Sequence, residues 1–437
     1  MSLETGKRHD RHFRSARRLI TNTLGASVLA ASLYGSGAQA QSPSLDIEGC
    51  LGANYPAITE TVNTEVVNLK PELRLASPEN EICHTMDLLG YMSYVPDGPI
   101  TFWTTAEGKK RYLLTGGDFN PAKEWTGNAT YLMETDGSVT LRDAIASGEM
   151  TSDNFLQVFT PDLDVQYRRH YVGITSVFQT DPNNLDHLWG ITHAEERTDR
   201  NASGDYTSTV GLVESTSGGL TWEDRGILIT GTDVKAPGGG RVSGAGQPSA
   251  IYNAETDYIN GLYIEWPATI REKTDPDYKP DQIYAFRMKV NEDGSPGPVE
   301  YWTENGFSET KENLKPAIPV PEDKPEMIYT ALPHLSWNTE LNQYIAVGES
   351  DNGFWFSKSD DLVTWSSPEI VYDFIQYGGQ PHSILQVGGK WDSYPSLLDE
   401  SQPSSQITGK NGTFVHSSGD NRTAHEPATL DATIVAK

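Results

Sequence analysis

The amino-acid sequence predicts an all-β chain, a five-bladed β-propeller of four-stranded antiparallel blades around a central axis, on three observations. Apolar residues come in short alternating runs separated by Gly, Asn, Asp and Pro, with almost no long helical periodicity, the pattern of half-buried strands and tight turns. A short strand with a central Ser or Thr recurs as Gly98-Pro-Ile-Thr101-Phe102, Gly173-Ile-Thr-Ser176-Val177, Gln247-Pro-Ser249-Ala250, Pro333-His-Leu-Ser336-Trp337 and Tyr394-Pro-Ser396-Leu397. Its central residues lie 75, 73, 87 and 60 positions apart, about one blade each. Finally, two Gly- or Asp-containing turns close on a Trp, at Ser215–Trp222 and Ser359–Trp365, about two blades apart.

The elements follow in chain order. Residues 1–40 read as a signal peptide: Lys7, Arg8, Arg11, Arg14, Arg17 and Arg18 precede a stretch rich in small apolar residues from Leu19 to Leu33, and Ala38-Gln39-Ala40 fits a cleavage site. Thr21, Asn22, Thr23 and Ser27 make it too polar for a membrane span, so no anchor is expected. Arg17-Arg18 allows a twin-arginine signal, and the destination is secreted or periplasmic. Residues 41–437 then form a single propeller domain. Taking away the six basic and two acidic residues of the leader changes the formal net charge from −27 to −31, with the acidic residues spread along the chain. Such a surface excludes nucleic acid and anionic membrane as partners, since both require clustered Lys and Arg. Cys50 and Cys83 are the only cysteines and are expected to pair in an oxidising compartment.

Each repeat strand is followed by a second strand, at Tyr112–Thr115, Leu188–Thr192, Leu262–Glu265, Tyr344–Val347 and Thr413–His416. Asn260-Gly261 reads as the hairpin turn of the third blade, and residues 311–324 as a Pro-rich loop between blades. Ala432–Val435 is expected to pair with an N-terminal strand such as Glu65–Asn68 and so close the ring.

First strands of a propeller run along its axis, and one mouth gathers side chains from every blade. Alternation along a strand turns the residue two before each repeat Ser/Thr the same way as that Ser/Thr; these are Pro99, Ile174, Gln247, His334 and Tyr394, with Asp97 one step further back. His193, Gln247, Trp266, His334 and Tyr394 are the candidate substrate-binding residues. Trp103, Trp189 and Trp355 are further rings near strand ends that could stack on a sugar. Glu195, Glu265 and Glu349 end the second strands of successive blades. Cleaving a glycosidic bond takes one protonated and one ionised carboxyl on opposite sides of it. Asp97, Glu195 and Glu265 are therefore the catalytic candidates, with Glu265, beside Trp266, suited to the acid and Asp97 to the base or nucleophile. No metal site is assigned and no cofactor is called for; a structural calcium ion is the one candidate. Asp181-Pro-Asn-Asn-Leu-Asp186 is oxygen-rich but lacks calcium-loop spacing and reads as a hairpin tip. His193 and His334 suit hydrogen bonding better than holding a central ion.

Ser215–Trp222 resembles the Asp-box of sialidase-like propellers, with Ser217 where Asp is expected, and Ser359–Trp365 resembles its variant in arabinanases, β-xylosidases and invertases. With His193-Ala-Glu195, Gly244-Ala-Gly-Gln-Pro-Ser249, Pro333-His-Leu-Ser-Trp-Asn338 and Tyr394-Pro-Ser396, the chain from about residue 90 to 430 resembles five-bladed propeller glycoside hydrolases and their sialidase-like exported relatives. In the arabinanase-like group this implies one carboxylate on the first blade and two from the blades after it. Asp97, Glu195 and Glu265 occupy comparable places, with Glu195 where that group usually has Asp. A true sialidase would bring three Arg to the mouth; no Arg lies on the proposed inner strands, which argues against sialic acid. The expected function is an exported glycoside hydrolase acting on a poly- or oligosaccharide. The alternatives are a non-catalytic glycan- or protein-binding propeller and a polysaccharide lyase using His334 and Tyr394.

Overall fold

A computed structural model describes residues 72–75, 82–83, 92–93, 95–118, 128–147, 150, 154–197, 206–232, 234, 242–266, 281–321, 329–374, 391–421 and 424–435. Residues 1–40, Cys50 and Glu65–Asn68 lie outside them, as does the side chain of Cys83. The described chain is mostly β-strand; helix is confined to α1 (Leu141–Ser147) and short 3₁₀ turns such as Gln166–Arg168.

Three short strands come first: β1 (Glu72–Leu75), β2 (Ile82–Cys83) and β3 (Met92–Ser93). Antiparallel meanders follow, each beginning at one of the recurring Ser/Thr segments. The first is β4 (Thr101–Thr104), β5 (Lys110–Asp118), β6 (Asn128–Thr135) and β7 (Phe155–Phe159). The second is β8 (Tyr171–Phe178), β9 (Leu188–Arg197), β10 (Tyr206–Ser215) and β11 (Glu223–Thr230). The third runs through β12 (Val242–Asn253), β13 (Tyr258–Trp266), β14 (Gln282–Val290) and β15 (Pro296–Thr303), extended by β16 (Gly306–Ser308) and β17 (Pro316–Ile318). The fourth is β18 (Tyr329–Asn338), β19 (Gln343–Ser350), β20 (Gly353–Ser359) and β21 (Glu369–Asp373). The last joins β22 (Trp391–Leu398), β24 (Asn411–Asn421) and β25 (Ala424–Val435) to β1, with β23 (Ile407–Thr408) set against β18.

Burial grades outward along each meander. Every residue of β8 is buried, whereas in edge strand β11 only Ile229 is buried and the rest are exposed or half-buried. The apolar faces meet between consecutive meanders. Leu113 and Leu132 pack with Val172 and Leu188, and Phe178 and Trp189 with Tyr263 and Phe286. Ile264 and Trp266 pack with Leu335 and Trp355, and Val347 and Phe354 with Leu397 and Phe414. Leu398 and Val415 of the last meander return to Phe102 and Tyr112 of the first, with α1 beneath them. Thr140 and Asp143 exchange hydrogen bonds at the N-terminus of α1 (2.6 and 3.0 Å), a reciprocal cap.

The recurring hydroxyls link one first strand to the next. Ser176 Oγ accepts from Ala250 N at 2.9 Å, Ser249 Oγ from Leu335 N at 3.0 Å, and Ser396 Oγ from Ile100 N at 2.9 Å. Thr101 and Ser336 turn instead to Ser405 and Thr408 in the stretch between β22 and β24. Because Ile100 is fully buried, Ser396→Ala strands its N–H without a partner. We expect a loss of about 1–3 kcal/mol in urea unfolding, larger than for alanine at an exposed serine such as Ser401.

The two Trp turns are built alike. Asp361 Oδ1 accepts from Val363 N (3.0 Å) and Thr364 N (2.7 Å), and Trp365 Nε1 donates to Leu362 O at 2.9 Å. In the other turn Ser217 Oγ accepts from Thr221 N at 2.9 Å and Trp222 Nε1 donates to Gly219 O at 3.0 Å. Ser217 therefore does the work of the missing Asp. Trp222 packs between the first and second meanders and Trp365 between the third and fourth.

Three sequence expectations are corrected. Asn260 and Gly261 lie inside β13; the hairpin turns at residues 254–257, where Asn253 Oδ1 accepts from Glu255 N (2.9 Å) and Thr256 N (3.2 Å) and Asp257 takes φ 55°. Gly261 is glycine because a Cβ there would come within 2.4 Å of the Phe286 ring. Ala432–Val435 does pair with an N-terminal strand, but the segment is Glu72–Leu75 in place of Glu65–Asn68. Residues 311–324 are not wholly loop: β17 lies within them, held by β14, with Ala317 and Ile318 buried.

Candidate functional site

The centre of the site is one face of β9. His193, Glu195 and Arg197 alternate along it and so share that face; Tyr171 of β8 and Ser208 of β10 stand opposite Glu195 in the two neighbouring ladders. Glu195 is 4% exposed. Its Oε1 lies 3.2 Å from His193 Nε2, and its Oε2 accepts from Arg197 Nε at 2.7 Å. The guanidinium sits 5.9 Å from the ring centres of both Tyr171 and Tyr206, in the range of cation–π contact.

The His193 ring is oriented from its other side. Gln247 N donates to Nδ1 at 3.2 Å, and the Ser208 hydroxyl is 3.1 Å from the same atom. A ring nitrogen that accepts a backbone N–H carries no proton of its own, so Nε2 holds it and donates to Glu195. Gly246 makes room for this arrangement: a Cβ there would lie 2.2 Å from Ser208 Oγ and 2.6 Å from His193 Nδ1.

Asp97 enters from the bend before β4. Its backbone N donates to Thr115 O at 2.8 Å. Asn128 of β6 donates to the carboxyl, and the Tyr171 hydroxyl to the carbonyl of the same residue. The Tyr394 hydroxyl supplies a further bond to the carboxyl, while the charges of Glu195 and Arg197 are close enough to act on it. Tyr394 is held in turn by Glu349 of β19, whose Oε2 accepts from Ser393 Oγ (2.5 Å) and Tyr394 N (2.9 Å).

The two carboxyls are driven in opposite directions. Burial pushes Asp97 above the usual carboxylate range; the Tyr394 hydrogen bond opposes this and the Glu195 charge reinforces it. Burial also acts to raise Glu195, but the Arg197 charge and the His193 hydrogen bond outweigh it and hold the group below that range. Tyr171 and Tyr394 are pushed well above their ordinary value by burial first and then by the Asp97 charge, so both stay protonated donors.

The other expected residues are placed as follows. Glu265 is buried in a different set of partners: Thr232 N donates to it and Lys311 Nζ lies 3.7 Å away, over the Tyr263 and Tyr301 rings. Trp266 is 2% exposed, with its ring 6.2 Å from His193 and edge-on to Tyr206 at 6.3 Å. His334 is 3% exposed, and its Nδ1 has no hydrogen-bond partner among the described residues; burial lowers it to about 4. Trp103, Trp189 and Trp355 are buried in the packing between meanders. Residues 181–186 form the loop between β8 and β9, with Asn183 N bonded to Asp181 Oδ1 at 2.9 Å. Among the described residues no group of three or more His, Cys, Asp or Glu side chains is arranged to hold a metal ion.

The assumption of strict alternation behind the residues two before each Ser/Thr is overturned. Ladder shifts fall between Ile174 and Ser176, Gly246 and Ser249, Ala331 and His334, and Ser393 and Ser396. A bulge re-aims the residue it carries, and Gln247 and Tyr394 sit in these bulges with φ 50° and 58°, while Ile174 is buried in the core. Sequence reasoning missed Arg197, Tyr171 and Asn128. Arg197 lies two residues past Glu195 on the same face, because β9 runs five residues beyond the apolar segment Leu188–Thr192. Asn128 and Tyr171 meet Asp97 only through the fold.

No protein-family model matches the chain, and no curated protein matches it. Solved structures to which it is similar include glycoside hydrolases. An α-L-arabinofuranosidase from Lactobacillus brevis is 8% identical, over 80% of this chain and 94% of that one, with a TM-score of 0.44. A GH43_1 enzyme from Xanthomonas citri, complexed with xylotriose, is 10% identical over 82% and 93%, with a TM-score of 0.43. A protein of unknown function from Dyadobacter fermentans is 9% identical over 83% and 99%, with a TM-score of 0.44.

Proposed function

We propose that this chain is a five-bladed β-propeller glycoside hydrolase, exported by the segment at residues 1–40, that cleaves a poly- or oligosaccharide by carboxylate acid/base chemistry at the mouth of the propeller. The ring reading is supported by the apolar seams between consecutive meanders and by the Ser396–Ile100 bond from the last to the first. The observation that carries the function is the Asp97–Glu195 pair: two buried carboxyls near enough for the charge of one to act on the other, one raised and one lowered by its own neighbours. Environments that push two titratable groups apart are how acid and base roles are divided. In this reading Asp97 is the acid that protonates the leaving oxygen, reversing the role its position alone suggested. Glu195, kept ionised by Arg197 and His193, is the base or nucleophile. Tyr394, Gln247 and Trp266 would contact the sugar; Glu265, held by Thr232 and Lys311, would supply the acid only in a second reading that leaves Asp97 as base or nucleophile.

The test is product release by residues 41–437 across plant and algal polysaccharides, reading reducing ends together with the ultraviolet absorbance of an unsaturated uronate. New reducing ends without that absorbance, lost in both Asp97→Asn and Glu195→Gln, are expected. Absorbance rising with reducing ends would instead establish a lyase centred on His334 and Tyr394. Silence on every substrate from folded protein would sink the enzyme reading in favour of a binding propeller.

A further inference from the structure

Two first strands break their ladders with the same device. In β12 the bulge residue Gln247 takes φ 50°, and its N–H is accepted by His193 Nδ1, from β9 of the preceding meander. In β22 the bulge residue Tyr394 takes φ 58°, and its N–H is accepted by Glu349 Oε2, from β19 of the preceding meander. A left-handed backbone is uncommon for any residue but Gly, and more so for a bulky one; it persists only where its surroundings over-determine it. Each lock leads to one carboxyl of the pair. His193 passes from Gln247 to Glu195 Oε1 (3.2 Å), and Tyr394 passes from Glu349 to Asp97.

We propose that Glu349 is a positioning residue for the site: by holding the Tyr394 bulge in its left-handed conformation, it keeps the Tyr394 hydroxyl on Asp97. The inference rests on the reading of Asp97 as a reacting group. Glu349 is 2% exposed, and its carboxylate receives the Ser393 hydroxyl and the Tyr394 N–H together. That pair of bonds spans the ladder shift in β22, where β24 cannot supply an acceptor in register. Without it, relaxing φ at residue 394 would swing the ring away, because side-chain direction follows the backbone. Asp97 would then be left with Asn128 on its carboxyl, Tyr171 on its carbonyl, and the opposed charges of Glu195 and Arg197.

The experiment follows the Asp97 carboxyl directly in protein carrying ¹³C at aspartate side-chain carboxyls, its signal identified by loss in Asp97→Asn. Tyr394→Phe removes a hydrogen bond donated to the carboxylate, so its midpoint should rise by about one pH unit. Glu349→Leu, which removes the acceptor of both bonds, should raise it in the same direction, and the double variant no further than Tyr394→Phe alone. Should Glu349→Leu fail to fold, Ser393→Ala, which removes one of the two donors aligning Glu349, should give a smaller upward shift. An unmoved Asp97 midpoint in folded Glu349→Leu or Ser393→Ala, or full additivity in the double variant, would overturn the proposal and leave Glu349 a purely structural residue. No substrate enters this measurement. Shifts as described, with no activity on any polysaccharide, would uphold the positioning role and count against the hydrolase reading alone.

Discussion

Glu195→Gln should lower turnover by about 10²–10⁴-fold, the usual worth of a positioned acid or base, with little loss of folded protein. Glutamine keeps the shape and one acceptor oxygen, enough for either His193 or Arg197 in place of both, but it cannot accept a proton or attack. Asp97→Asn should cost a similar factor by removing the proton donor. In the proposed mechanism the active form has Glu195 ionised and Asp97 protonated. Activity should therefore fall as pH drops through the lowered Glu195 value and fall again as pH rises through the raised Asp97 value. In Glu195→Gln the residual activity should lose its acid limb, and the alkaline limb should move down, because the charge that helps to raise Asp97 is gone. Rate against pH for the two variants checks both limbs; an alkaline limb that stayed in place in Glu195→Gln would break the coupling of the pair.

The second large effect is on stability. His334 is buried and lowered from 6.5 to about 4, so the folded state keeps it neutral over a range where the unfolded chain takes up a proton. Its contribution is fully present above 6.5 and is lost as pH falls from 6.5 to about 4. At 1.36 kcal/mol per pH unit the whole step amounts to about 3 kcal/mol. Urea midpoints measured across that range should fall steeply for the native chain, whereas His334→Leu should remove most of the slope in that window. An equal slope in both proteins would place the acid sensitivity elsewhere, the paired carboxylate of Glu195 being the next group whose stability contribution is lost on acidification.

The strands and their order were legible because their cause is local. Short continuous apolar runs bounded by turn residues, as at Leu188–Thr192 and Tyr344–Val347, read as strands buried on both faces, and both Trp turns close through bonds spanning no more than five residues. Local cues failed where a tertiary contact took over the residue that carried them. Asn260-Gly261 has the chemistry of a hairpin turn, yet the Phe286 ring needs that glycine inside a strand. Glu195 and Asp97 could be named from their positions at strand ends, but the roles suggested for them could not be drawn from position, since burial and neighbouring charges determine which carboxyl holds its proton.

By itself the sequence determined an all-β chain, the five recurring segments, the two Trp turns, and a shortlist that included Asp97, Glu195, His193, Gln247 and Tyr394. Each of these comes from residue type and spacing, although the alternation that singled out Gln247 and Tyr394 is broken at both by a bulge. Only the tertiary structure decided that Arg197 and His193 hold Glu195, that Asn128, Tyr171 and Tyr394 gather on Asp97, and that Glu349 and His193 lock the two bulges. The partners of Asp97, Tyr394 and Gln247 come from strands far apart in the chain, and those of Glu195 from its own strand. The field at a buried carboxyl is a sum over neighbours in space, which strand periodicity does not encode.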